Sequence, residues 1–269
     1  MKIAVYALDG KKGADANLPA QFTEPLRLDL IKRAVLSLQS KARTPYGAFE
    51  DAGDRHSVDV SRRRRDYRGS YGKGISRVPR KVHTRRGSQM FWVGARAPGM
   101  RGGRRAHPPK AEKDWTRAIN KKENRKAIRS AIAATVNKEL VAKRGHKLPT
   151  HYPFLVADKM ESIKTTKELL TALSALGFTH ELERASVTGR RTGAAALRGR
   201  SKKTKQSLLI VTAAKSAAVT KAARNILGVA ATSVSELNAE ILAPGTHAGR
   251  ITLFTDAAVK KLAEENLFV

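Results

Sequence analysis

Residues 62–109 read RRRRDYRGSYGKGISRVPRKVHTRRGSQMFWVGARAPGMRGGRRAHPP, and this stretch decides how the rest of the chain is organised. It holds fifteen Lys or Arg residues and eight glycines but one acidic residue, Asp66. No hydrophobic period in it is long enough to predict a helix or strand that could bury itself. A segment of this charge cannot fold by burying apolar surface, and its self-repulsion favours an extended form unless a polyanion neutralises it.

Both flanks of this stretch carry the patterns of a folded domain. Residues 2–8 alternate as a short strand, and residues 23–42 repeat apolar side chains at helical spacing. Residues 110–144 hold the longest helical pattern, and strands and helices then alternate to the end of the chain, with the strongest strand pattern at 207–212. Such alternation predicts an α/β fold with a mostly parallel sheet and helices on its faces.

The predicted domain organisation follows from these patterns. Residues 1–43 and 110–269 form one globular α/β domain, and residues 44–109 are a long extended basic loop inserted after the first helix. Residues 188–206, TGRRTGAAALRGRSKKTKQ, form a second basic loop. An unstructured connection as long as the first loop is rare in a compact domain and is usually functional or disordered.

Composition limits the function classes. The 269 residues have a formal net charge of +30 and a pI near 10.9, which points to nucleic acid or an anionic membrane surface as the partner. There is no cysteine, which excludes disulfides and thiolate chemistry, and no apolar run long enough to span a bilayer. We therefore expect a soluble cytoplasmic protein.

The sequence offers no catalytic or metal-binding constellation. Its seven histidines lack metal-ligand spacing, and residues 189–203 lack the GKS or GKT of a phosphate-binding loop and precede a strand instead of following one. Asp9, Asp158 and Asp256 lie near predicted strand ends, where turn or helix-capping roles are the better interpretation. We predict no catalytic residue, no metal site and no cofactor, apart from Mg²⁺ ions that accompany RNA.

Four segments together resemble the large-subunit ribosomal protein four family in its archaeal and eukaryotic form. They are GGRRAHPPK at 102–110, GRRTGAAALRGRSKKTKQSLLIV at 189–211, LRLDLIKRAV at 26–35 and RRGS at 85–88. The resemblance implies a structural constituent of the large ribosomal subunit, in the cytoplasm, that binds and helps fold 23S-type rRNA. It also implies that the long loop threads through that RNA and forms part of the polypeptide exit tunnel wall. The implied partners are the rRNA, neighbouring large-subunit proteins including protein twenty-two, and the nascent polypeptide, with no membrane.

The candidate RNA-binding residues share chemistry suited to phosphates and bases, since guanidinium groups satisfy two phosphate oxygens at once and rings stack on bases. In the long loop they are Arg62, Arg63, Arg64, Arg65, Arg68, Lys73, Arg77, Arg80, Lys81, Arg85, Arg86, Trp92, Arg96, Arg101, Arg104, Arg105 and His107. In the second loop they are Arg190, Arg191, Arg198, Arg200, Lys202 and Lys203. By the family likeness the tunnel tip lies within residues 71–86 and comprises Tyr71, Gly72, Lys73, Gly74, Ile75, Ser76, Arg77, Val78 and Arg80.

Simpler interpretations compete with these roles. The arginines could belong to a solvated, disordered basic tract, and Trp92 could pack on protein instead of a base. His107 is either an RNA contact or a structural residue, and Trp115 is expected to pack as part of the helix at 110–144. At the level of the whole chain, the alternatives are an RNA-acting enzyme with a basic substrate-gripping loop and an architectural DNA-binding protein.

Overall fold

The computed structural model describes residues 1–58, 60–67 and 69–269, and it confirms a mixed α/β protein. The strands are β1 (Lys2–Tyr6), β2 (Lys12–Asn17), β3 (Arg80–Arg86), β4 (Gln89–Gly94), β5 (Leu155–Val156), β6 (Gly189–Arg190), β7 (Lys202–Lys203), β8 (Leu209–Thr212), β9 (Ala230–Ser233) and β10 (Thr252–Phe254). The α-helices are α1 (Leu28–Lys41), α2 (Lys121–Val136), α3 (Lys138–Lys143), α4 (Thr166–Ala175), α5 (Thr179–Ser186), α6 (Ala194–Leu197), α7 (Ala218–Ala223), α8 (Ala239–Leu242) and α9 (Asp256–Glu264). Short 3-10 turns lie at Ala20–Phe22, Asp158–Ser162, Val234–Glu236 and Pro244–Thr246.

The chain divides into two compact units. One comprises Met1–Ala42 and Thr116–Val269, and we call it the body; the other, Arg43–Trp115, we call the insert. The insert begins one residue before the predicted long loop and ends six residues after it. Its two ends are tied together, because the Ala48 N–H donates to the Pro109 carbonyl at 2.9 Å.

Six strands of the body form two three-stranded sheets. In one, β8 pairs in parallel with β9 on one side and β10 on the other. In the other, β1 pairs in parallel with β5 and antiparallel with the edge strand β2. One parallel bridge, Val156 to Thr255, joins residues at the ends of β5 and β10. All four residues of β8 are buried, as expected of a strand covered on both faces.

The first helix begins later than the sequence predicted. We expected its start at residue 23, but α1 starts at Leu28. The preceding segment is held extended by α2, because the hydroxyl of Ser130 donates to the Pro25 carbonyl at 3.0 Å and accepts from the Arg27 N–H at 2.7 Å. Tertiary hydrogen bonds therefore replace the first turn that the local sequence favoured.

The prediction of one long helix over residues 110–144 is wrong, because this region forms two shorter helices, α2 and α3. Helix α2 starts at Lys121, because the backbone before it is held extended against α1: Arg117 N–H donates to the Ser40 hydroxyl at 2.9 Å, and Arg117 carbonyl accepts from the Ser37 hydroxyl at 2.6 Å. The helix then breaks at Asn137, where ψ is 103°. The Asn137 side chain caps α3 by accepting from the Glu139 and Leu140 N–H groups.

The sequence predicts a capping box at Thr165 and Glu168 at the start of a helix, and the structure confirms the Thr165 cap. The Thr165 hydroxyl accepts from the Glu168 N–H at 3.3 Å and so caps α4. Asp158 has a capping role as expected, because its carboxylate accepts from the Ala257 N–H at 2.6 Å in the first turn of α9. These contacts hold strand ends and helix starts at fixed positions.

The hydrophobic core belongs to the body. Fully buried side chains such as Ile31, Ile132, Leu169 and Leu209 form one cluster, and within the described residues no member of that cluster lies between Arg43 and Trp115. Within the described part of the insert, Ala95 is the one buried hydrophobic residue. The described part of the insert therefore has no hydrophobic core, as expected from the basic sequence of residues 62–109.

The insert nevertheless contains regular structure, which corrects the expectation that no strand forms there. Strands β3 and β4 pair antiparallel, with Val82 opposite Trp92 and Arg86 opposite Gln89. The two-residue loop between them begins with Gly87, whose φ of +57° suits a residue without a Cβ. Backbone hydrogen bonds, not burial, hold this hairpin.

In the part of the chain that the structure describes, no helix combines the length and apolarity needed to cross a membrane.

Candidate nucleic-acid interface

The insert concentrates positive charge on exposed side chains. Between residues 43 and 115 the sequence has nineteen Lys or Arg residues and seven Asp or Glu residues. The structure describes one ion pair in this region, between Arg96 and Asp54. Most of the charge is therefore available to an external polyanion.

The run of four arginines at 62–65 lies on a short turn built by Asp66. The Asp66 carboxylate accepts from the Ser61 hydroxyl and from the Tyr67 N–H, the latter at 2.9 Å, and Ser61 bridges to Gly69. All four arginine side chains are exposed, and within the described residues no ion pair reaches them. Arg68, predicted to join them, lies outside the described residues.

The beginning of the predicted tunnel tip is a turn organised around Tyr71. The guanidinium carbon of Arg77 lies 4.5 Å from the centre of the Tyr71 ring, and that of Arg64 lies 5.5 Å from it. Cation–π contacts of this kind orient a guanidinium group while leaving its N–H donors unused. Lys73 and Ile75 on the same turn are exposed.

The hairpin carries a second set of the predicted residues. Arg85 and Arg86 lie exposed beside its loop, where the Arg85 Nε donates to the Gly87 carbonyl at 3.1 Å. Arg80 donates to the Ser76 carbonyl at 3.0 Å, which links the base of the hairpin to the preceding turn. Phe91, whose side chain points away from the Trp92 face, is 51% exposed and adds a ring to this surface.

Two further predicted residues, Arg96 and Lys81, also have partners within the described part of the insert. The Arg96 Nε donates to the Asp54 carboxylate at 2.5 Å, and its Nη2 does so at 3.3 Å, so this guanidinium group is already engaged. The Lys81 Nζ lies 3.0 Å from the His56 Nε2. Arg101, Arg104, Arg105 and His107 follow on an exposed, irregular segment.

The second basic loop lies on the body as a small hairpin. Strands β6 and β7 pair antiparallel, and the single helical turn α6 lies between them. Its apolar Leu197 is 89% exposed. The predicted residues are all exposed: Arg190, Arg191, Arg198, Arg200, Lys202 and Lys203.

A buried carboxylate, Glu181, holds the base of this second loop. It accepts hydrogen bonds from the Ser207 hydroxyl at 2.8 Å, the His146 Nδ1 at 2.8 Å and the Arg184 guanidinium at 2.6 Å. Arg184 also donates to the Gln206 carbonyl at 3.0 Å. Burial alone would raise the pKa of Glu181, but these bonds and one from the Lys147 N–H lower it to about 2.

No sequence pattern indicated this cluster around Glu181. His146, Glu181 and Ser207 are separated by tens of residues and belong to no motif, so only the fold brings them together. The isolated acidic residue between the apolar positions of α5 was the one available signal, because a lone carboxylate on a buried face needs partners.

Among the described residues, no group of three or more His, Asp or Glu side chains is arranged to hold a metal ion.

Comparison with known proteins gives matches over almost the whole chain. The sequence profile described as "Ribosomal protein L4/L1 family" matches residues 16–265. The chain is 44% identical over 268 residues to "Large ribosomal subunit protein uL4" of Nanoarchaeum equitans, covering 100% of both chains. It is 43% identical to the proteins of the same name from Methanospirillum hungatei and Archaeoglobus fulgidus, covering 98% of this chain and 100% and 99% of theirs.

Proposed function

Since the chain belongs to the ribosomal protein L4/L1 family, we propose that it is a structural constituent of the large ribosomal subunit. It binds and helps fold large-subunit rRNA, and it works in the cytoplasm as part of that particle, not as an enzyme. The observation that carries this proposal is the match to relatives named large ribosomal subunit protein uL4 over 98–100% of this chain.

The proposed RNA contacts are the exposed basic residues of the insert and of the second basic loop. Arg62, Arg63, Arg64 and Arg65 would neutralise phosphates, since their guanidinium groups have no acidic partner within the described residues. Trp92 and Phe91 would add base contacts from the hairpin, and the second loop would bind through Arg198, Arg200 and its neighbours. Arg96, engaged by Asp54, is the weakest candidate in the set.

The finer architecture belongs to the same proposal. We take the body as a mostly parallel sheet with helices on its faces, supported by the parallel pairing of β8, β9 and β10 and by the parallel bridge from Val156 to Thr255. Residues 44–109 would act as the extended loop that follows the RNA towards the exit tunnel.

Residues 71–80 are the proposed tunnel tip, facing the nascent polypeptide and large-subunit protein twenty-two. Gly72 and Gly74 support this role, because both have positive φ and a Cβ at either would meet nothing within 4 Å. A turn with such open surroundings can approach RNA or peptide closely.

The proposal is tested by fractionating cells that carry an epitope-tagged chain. The tagged protein should sediment with the large subunit and should remain there after a high-salt wash, because many phosphate contacts act together. Sedimentation as free protein, or with the small subunit, would contradict the proposal.

Binding by the purified chain separates RNA recognition from general attraction to polyanions. The purified chain should bind structured 23S-type rRNA more tightly than duplex DNA of the same length at the same salt concentration. Equal affinity for the two would favour an architectural DNA-binding protein instead.

A further inference from the structure

A group of stacked side chains closes the base of the insert. The rings of Tyr46 and Trp115 are nearly parallel, with 17° between their planes and 5.4 Å between their centres. The guanidinium carbon of Arg43 lies 3.8 Å from the centre of the Trp115 ring, and the Nζ of Lys113 lies 4.5 Å from it. Trp115 therefore lies outside α2, which corrects the expectation that it packs as part of that helix.

Beside this stack is a cavity of about 830 Å³, lined entirely by residues of the insert. Tyr46, Trp115 and the consecutive Pro108 and Pro109 give it flat walls. A volume of this size falls within the range of small-molecule sites, and it exceeds what a single nucleotide needs. Tyr46 is 47% exposed, so part of its surface remains open to a ligand.

The charged residues of the cavity favour an anion with a planar ring. Arg105, Lys110 and Lys113 line it with positive charge, next to the aromatic and proline walls. Nucleic acid combines both features, because each nucleotide joins a flat base to a phosphate. An apolar peptide would leave the three cations without a partner, which makes a protein segment the poorer occupant.

One acidic residue in the cavity indicates which base fits best. Glu112 also lines it, and an ionised carboxylate has two oxygens that only accept hydrogen bonds. Guanine presents two adjacent donors, N1–H and the N2 amino group, on one edge. Adenine and cytosine pair a single donor with an acceptor there, and uracil sets its donor between two acceptors, so guanine is the base that satisfies both carboxylate oxygens.

We propose that this cavity binds one unpaired guanine nucleotide of RNA, with the base against the flat walls and Glu112 and the phosphate near Arg105, Lys110 and Lys113. This inference rests on the proposed function, because it adds a base-specific contact to an otherwise phosphate-directed RNA interface. It gives residues 43–46 and 105–115 a role in choosing the RNA site, whereas the arginines of residues 62–65 supply general affinity.

The chain contains two tryptophans, which allows a site-specific test. In full-length protein with Trp92→Phe, Trp115 is the one remaining tryptophan, and its emission reports on the cavity. The probes are the trinucleotides UGU and UAU, titrated at a salt concentration that suppresses general phosphate binding. We expect saturable quenching by UGU, with an affinity about tenfold higher than for UAU.

Matched carboxylate variants identify the source of the preference. Glu112→Gln should reduce the preference for UGU to less than about threefold, whereas Glu50→Gln, on an exposed residue of the same insert outside the cavity, should leave it unchanged. Tyr46→Ala should weaken UGU binding at least about fivefold, and Tyr46→Phe should restore it, because the stacking ring is retained.

Three results would overturn the inference. They are equal affinities for UGU and UAU, equal effects of the two Glu→Gln changes, and no change in Trp115 emission on adding either RNA. Binding of the same protein to 23S-type rRNA is measured in parallel. If that binding is kept while the trinucleotide results fail, the guanine site is wrong and the ribosomal function stands; if both fail, the proposed function is wrong as well.

Discussion

The hydroxyl of Ser207 donates a hydrogen bond of 2.8 Å to the carboxylate of Glu181 at the point where the second basic loop returns to β8. Both side chains are buried, and Arg184 completes the contact by donating to Glu181 and to the carbonyl of Gln206. An exposed cationic loop is thus attached to the body through a buried anion. A segment that repels itself is thereby kept in one place before any RNA binds.

Replacing that anion should destabilise the body. Glu181→Gln removes the charge that Arg184 and His146 contact, and we expect a loss of roughly 3 kcal/mol in the free energy of unfolding, measured with urea at neutral pH. Glu183→Gln, on the exposed face of the same helix, is the control and should change stability by less than about 0.5 kcal/mol. Equal effects from the two variants would contradict the role given to Glu181.

The same carboxylate predicts a dependence on pH. Its pKa falls from the ordinary 4.5 to about 2 in the folded protein, so its contribution is complete above 4.5 and is lost as pH falls towards 2. The stability difference between the wild type and Glu181→Gln should therefore shrink steadily over this window. If the stability difference between the wild type and Glu181→Gln stays constant down to a pH of about 2, Glu181 is not the group that titrates.

Arg250 should be far less tolerant of lysine than an exposed arginine. Its buried guanidinium donates to the carbonyls of Ser207 at 2.7 Å and Ile241 at 2.9 Å, and burial together with the charge of Arg144 lowers its pKa to about 10. A lysine cannot reach both carbonyls with fixed geometry, so we expect Arg250→Lys to cost about 2–4 kcal/mol in thermal or urea unfolding. Arg224→Lys, at the exposed end of α7, is the matched control; comparable losses would count against this account.

Removing the four arginines at 62–65 should weaken RNA binding without changing sequence preference. If each contacts one phosphate, their replacement by alanine should lower the log–log salt slope of rRNA binding by about 3. The comparison variant replaces four exposed body lysines, Lys11, Lys159, Lys164 and Lys167, which removes the same charge. The insert variant should lose much more affinity, and equal losses would mean that only net charge matters.

The β3–β4 hairpin should be removable without unfolding the body. The Ala95 N–H donates to the Pro79 carbonyl at 2.8 Å, so a short linker can replace residues 80–94. Because the described insert contributes nothing to the hydrophobic cluster, the unfolding temperature should stay within about 2 °C of the wild type. A cooperative loss of the body's circular dichroism signal on deletion would contradict the independence of the two units.

Sequence patterns predicted the elements whose stability comes from burial. The strand pattern at 207–212 contains the fully buried β8, and the Thr165 cap with Glu168 three residues later marks the start of α4. In both cases the local pattern and the tertiary environment require the same conformation. Elements of this kind can be predicted from the sequence because the local pattern and the tertiary environment favour the same conformation.

The elements that the sequence did not predict depend on pairing with another strand or on contacts with residues far away in the sequence. Strand β2, with the sequence KGADAN, has little strand propensity and is mostly exposed, and its pairing with β1 holds it in place. The start of α2 is displaced because the Arg117 carbonyl accepts from the Ser37 hydroxyl and the Arg117 N–H donates to the Ser40 hydroxyl, contacts that no local pattern could indicate.

The hairpin of the insert could have been predicted. Val82, Thr84, Trp92 and Val93 are strand-forming residues on either side of a two-residue Gly-Ser loop, which is a recognised hairpin signal. The basic residues of β3 weaken that signal, because they interrupt the alternation of apolar and polar side chains.

The candidate sites also differ in whether a local sequence pattern indicates them or whether they depend on contacts between distant residues. The exposure of the arginines was predictable from composition, whereas the Tyr46–Trp115 stack and the Glu181 cluster were not, because each joins residues far apart in sequence.

The parallel pairing of Val5 with Leu155 fixes an order of events during synthesis. Strand β1 is made first but cannot complete its sheet until residue 155 has been added, so the entire insert is translated while the body is still open. A newly made molecule therefore presents its most cationic portion before it has a finished core, at the stage when unpaired strand edges are also exposed. Any polyanion present during synthesis can therefore meet the cationic insert on the growing polypeptide, before the body is complete.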